Sequence, residues 1–134
     1  MAQEGSDSVM IEVGAGELLD KITILEIKLE RIGDPGKLCN VGHELDALRD
    51  ARQRSLPSLV ALDRLESALR GVNEALWVIE DDIRACEAAK DFGPRFIELA
   101  RSVYQQNDRR ADLKKEINIL CGSRIIEEKS YERY

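Results

Sequence analysis

The chain has 134 residues, of which 43% are hydrophobic, only 4% aromatic and 34% charged, a mixture of Leu, Ile, Ala, Glu, Arg and Lys that belongs to long helices rather than to sandwiches or barrels. This length buries one ordinary core without disulfide or metal staples, so a single helical domain is expected over residues 10–134. The formal net charge of -6 argues against a nucleic-acid partner, and no apolar run approaches the roughly 20 residues of a membrane span, so the expected location is the cytoplasm.

Residues 1–9 lack periodicity and are expected to form a disordered N-terminal extension, and Met10 to Val13 alternates like a short extended segment before Gly14 and Gly16 interrupt it. From Glu17, the spacing of Leu18, Ile22, Leu25, Leu29 and Ile32, widened by Leu19, Ile24 and Ile27, predicts a first helix. One partner helix would not cover so much apolar surface, so this helix is expected to be central. Gly33-Asp34-Pro35 reads as a tight turn, with Gly33 left-handed, Asp34 capping and Pro35 in the next first turn.

A second helix is predicted from about Pro35 to Arg54, with Leu38, Val41, Leu45 and Leu48 facing inward and Gly42 as a weak point. It ends at Ser55-Leu56-Pro57-Ser58, where Ser58 suits a cap for the third. The third helix alternates strictly through Leu62, Leu65, Leu69, Val72, Leu76, Ile79, Ile83 and Cys86, a coiled-coil-like seam. After Asp91-Phe92-Gly93-Pro94, the fourth repeats the spacing as Phe96, Leu99, Val103, Gln106, Arg110, Leu113, Ile117 and Leu120, and Gly122 stops it. The fold expected is therefore all-α, an elongated antiparallel bundle of two helical hairpins, with a charged tail over 123–134 whose Ile125 and Ile126 tuck back.

Two seam positions of the fourth helix are polar. Folding it antiparallel onto the third sets Leu76 near Gln106 and Val72 near Arg110, so a polar layer interrupts an apolar seam. Arg110 keeps its charge when desolvated and needs a carboxylate, an anionic ligand or water; Glu74, Glu80 and Asp81 are the nearest carboxylates on the facing helix. Such a layer either fixes helix register, as a single buried polar residue does in coiled coils, or forms a ligand pocket. The ligand candidates are Asn73, Trp77, Glu80, Asp81, Asn107, Arg110 and Lys114, facing an anionic small molecule.

Other chemistry is thinly represented. Glu80-Asp81-Asp82 cannot serve one ion, because consecutive helix positions point apart, and the Glu17/Asp20 and Glu26/Glu30 pairs suit a solvated face equally well. Cys39 and His43 stand at i, i+4, but two ligands do not make a zinc site, and Cys39, Cys86 and Cys121 show no Cys-x-x-Cys spacing. His43 is the only histidine and has no neighbour suited to a nucleophilic dyad. No metal and no cofactor is implied.

Four stretches, Gly16 to Lys28, Val72 to Arg84, Phe92 to Arg110 and Gly122 to Tyr131, resemble the bacterial domain of unknown function 6165 family. The resemblance covers nearly everything from Met10 to Tyr131. It carries no catalytic residues, and it implies at most a supporting role beside glycosyl transfer or cell-surface polysaccharide functions. The leading expectation is a non-enzymatic helical binding or assembly protein with a protein partner or as a homodimer. The alternative is a small-molecule or phosphometabolite-binding protein or enzyme built on the inter-helix polar layer, with divalent-metal dependence as one option.

Overall fold

A computed structural model describes residues 8–134. Among them the chain forms four helices and no strand: α1 (Ala15–Arg31), α2 (Pro35–Ser55), α3 (Val60–Ala88) and α4 (Pro94–Cys121). The expected residues 1–9 extension falls mostly outside the described residues; Ser8 to Val13 carries no regular secondary structure and is exposed.

The wide apolar stripe of α1 has the predicted consequence: this helix packs against each of the other three. Leu19 and Ile22 are all but fully buried, in a core shared with Leu45 of α2, Leu62 and Leu69 of α3, and Ile117 of α4. Within the stripe Leu29 is exposed, while Ile32 beyond it packs partly buried against the core. At a rise of about 1.5 Å per residue, α1 is about 25 Å long and α3 about 43 Å, so α1 covers little more than half of the α3–α4 hairpin.

The turns differ in part from expectation. Asp34 does cap α2, accepting from the Lys37 backbone N–H at 3.3 Å, with Pro35 in the first turn. Gly33 is not left-handed. Instead Ile32 leaves α1 in extended backbone, with its own N–H on the Lys28 carbonyl at 2.9 Å, so the exit needs no positive φ. Ser58 does not cap α3: the helix starts later, with Leu59 at the cap position and no side-chain bond there.

Between α3 and α4 the left-handed residue is Lys90, and Asp91 accepts from the Gly93 N–H at 3.1 Å. Gly122 (φ 65°) ends α4 as expected, returning the Ser123 N–H to the Asn118 carbonyl at 2.8 Å. The tail then runs back along α4 through Lys114–Glu127, Lys115–Glu128 and Asp108–Tyr134 contacts. Ile125 and Ile126, expected to tuck back, are partly covered, each 37% exposed, and ion pairs hold the tail beside them.

The N-terminus of α1 explains its glycines. A Cβ on Gly16 would lie 2.3 Å from the Lys114 carbonyl oxygen, and one on Gly14 would lie 2.5 Å from that of Ile125. Both positions let α1 touch the C-terminal end of α4, which a side chain would prevent. Gly14 supplies no side-chain cap. Asn118 Oδ1 instead accepts from the Gly16 N–H at 2.8 Å, and Ser123 Oγ from that of Ala15 at 3.0 Å.

Candidate functional site: a polar cluster sealed between α1, α3 and α4

The polar layer exists, but α1 completes it. Asp20 is a carboxylate with 2% of its side chain exposed, and it meets Arg110 edge to edge: Nε to Oδ1 at 2.9 Å and Nη2 to Oδ2 at 2.5 Å. Asn73 Nδ2 of α3 donates to Asp20 Oδ1 and to Thr23 Oγ1, both at 2.9 Å, and the Thr23 hydroxyl donates to the Asp20 backbone carbonyl at 2.8 Å. Lys114 Nζ stands 3.8 Å from Asp20 Oδ2 and makes shorter contacts with Glu17 at 2.8 Å and Glu127 at 3.0 Å.

The electrostatics follow from the geometry. Burial pushes the Asp20 carboxyl upward, but the hydrogen bonds from Arg110 and Asn73 and the charges of Arg110 and Lys114 outweigh it, holding the group below its ordinary value. The bond to Asp20 raises the Arg110 guanidinium further. Burial works against the Lys114 charge, and its contacts with Glu17 and Glu127 reverse that, leaving it raised. All three groups are therefore fixed in their charged forms at neutral pH. A carboxylate hydrogen-bonded on both oxygens and held in its ionised form is a poor proton acceptor, and an arginine does not give its proton up.

The counter-charge of Arg110 is thus neither Glu74 nor Glu80 nor Asp81. Glu74 pairs with Arg31 at 2.9 Å and Glu80 with Arg84 at 3.2 Å, both partners lying on exposed faces. Asp20, read with Glu17 as suiting a solvated face equally well, lies inside. The available signal was helical spacing: Gly16, Asp20, Thr23 and Ile27 share one face of α1, and all four are buried.

Of the candidate ligand residues, Asn73, Trp77, Glu80, Asp81 and Arg110 line one groove of about 310 Å³, floored by Ile24, Ile27 and Leu76. Asn107 and Lys114 do not share it. Asn107 faces a second groove beneath the tail, touching Arg110 Nη1 only at 3.5 Å, and Lys114 faces a small cleft with Glu17 and Glu127. Cys39 and His43 are both exposed, and among the described residues no group of three His, Cys, Asp or Glu side chains is arranged to hold a metal ion. None of the four helices is long and apolar enough to cross a membrane.

Fold and cluster together define a small four-helix protein in which three of the helices, α1, α3 and α4, are cross-linked by an ion-paired polar layer. Residues 9–134 match the Family of unknown function (DUF6165), and the chain belongs to that family. No curated protein and no solved structure matches the chain.

Proposed function

We propose that this protein is a non-catalytic helical binding or assembly protein, acting through a protein partner or through a second copy of itself. The observation that carries this reading is the saturation of Asp20: the only fully buried carboxylate among the described residues is already matched by Arg110 and Asn73. A cluster closed in this way joins three helices in one register and leaves no poised acid or base for turnover. Apolar side chains are partly exposed on the α3–α4 hairpin: Val78 is 44% exposed, Phe92, stacked edge to face on Phe96, 48%, and Ile97 55%. Exposed apolar surface of this kind suits association. The supporting role beside glycosyl transfer or cell-surface polysaccharide synthesis that the family resemblance implies would supply such partners in the cytoplasm. Sedimentation velocity over a wide concentration range, with and without a pathway enzyme, tests the reading; a strict monomer that binds no partner and shows turnover overturns it.

A second reading has one observation in its favour. The groove beside Trp77 is apolar at its floor and keeps one edge of Arg110 in reach, since 30% of that side chain is exposed. A thermal-shift screen with sugar nucleotides and divalent ions separates the two readings, because a ligand that binds only the folded state raises its Tm.

A further inference from the structure

The chain has three tyrosines, and all three line a single groove of about 530 Å³ between α4 and the returning tail. Tyr104 and Tyr134 meet edge to face with ring centroids 4.8 Å apart, and the Tyr134 hydroxyl donates to Asp108 Oδ2 at 2.7 Å. The third ring, Tyr131, lies beneath the Lys129 ammonium, with Nζ 5.8 Å from the centroid. Carboxylates stand on both walls, Asp108 on α4 and Glu132 on the tail.

We propose that this groove is a binding site for organic cations carrying an alkylated ammonium head, and that Lys129 is its built-in competitor. Aromatic faces present negative quadrupole, and ring walls with nearby carboxylates are the chemistry that holds a bulky, weakly hydrated cation. The ammonium group already over Tyr131 is the protein's own instance of that contact. A groove of this volume holds far more than one lysine head, and the protein's net charge of -6 favours a cationic visitor. The tail wall carries no regular secondary structure, and the Lys115–Glu128 pair that helps hold it is exposed and contributes little. This assignment does not depend on the assembly reading, since none of its groups belongs to the Asp20 cluster.

The test is NMR titration of the tyrosine ring protons of the full chain with choline, against its neutral isostere 3,3-dimethylbutan-1-ol at equal ionic strength. Choline is expected to give saturable shifts on Tyr104, Tyr131 and Tyr134, with the isostere at least about five-fold weaker. Lys129→Met is expected to tighten choline binding by about three-fold or more, because the internal competitor is gone, while Tyr131→Leu and Asp108→Asn weaken it by about three- to ten-fold. Unchanged Tm values confirm that these surface variants keep the fold. Equal binding of the isostere, no saturable shift, or weaker choline binding in Lys129→Met each overturns the proposal, the last because removing a competing cation from the ring can only strengthen the binding of another.

Discussion

At the scale of single residues, Asp20 governs the interior. Replacing it with Asn leaves Arg110 half-buried without its main counter-charge, and replacing Arg110 with Gln leaves a buried carboxylate short of its main partner. Each change is expected to cost about 2–4 kcal/mol, discounted for the 30% exposure of Arg110. Urea denaturation of both single variants and the double variant checks this, with a coupling of about 1–3 kcal/mol expected from the cycle. The same carboxylate leaves a signature in acid. Because its folded-state pKa is lowered, the stability it contributes is complete above the ordinary Asp range and is lost as pH falls through the lowered value. Glu66, raised chiefly by burial, acts in the opposite sense: its contribution is present at low pH and lost as pH rises through its raised value. Denaturation curves taken between about pH 6 and about pH 2.5 should therefore show an acid limb that flattens in Asp20→Asn. Arg110 was legible in the sequence as a charge in an apolar seam, whereas its partner was not. A carboxylate at Asp20 fits a wet helix face and a sealed ion pair equally well until the crossing of α1 over α3 and α4 is known.

Among the elements, the helices and most of their inner faces were readable because apolar periodicity reports burial directly: Val41, Leu45, Leu62, Leu69, Leu99 and Ile117 are buried where the spacing predicts. Turn details such as Gly33 and Ser58 were less so, since a helix end can close through main-chain bonds that no side-chain type announces. The glycines divide by what surrounds them. Gly71 lies within α3 with open space where a Cβ would stand, so Gly71→Ala should stabilise the protein by about 0.5–1 kcal/mol. Gly16→Ala should do the reverse and lower the Tm markedly, because the added methyl would meet the Lys114 backbone rather than a side chain free to swing aside. Paired thermal melts of the two variants test opposite signs of one nominal substitution.

For the whole molecule, the first helix is tied to the last: the Gly16 N–H finds its acceptor on Asn118, and Gly14 abuts the carbonyl of Ile125. Consequently a nascent chain cannot finish its N-terminal portion first. The immediate neighbour α2 covers one side of α1 early, but the side turned toward α4 gains its lasting cover only once residues 94–121 have been made. Non-local closure of this sort slows folding and lengthens the interval during which chaperones or aggregation compete. In native-state deuterium exchange, the Gly16 amide should accordingly open only with global unfolding, and truncation before Asn118 should yield a chain that precipitates rather than a smaller folded core.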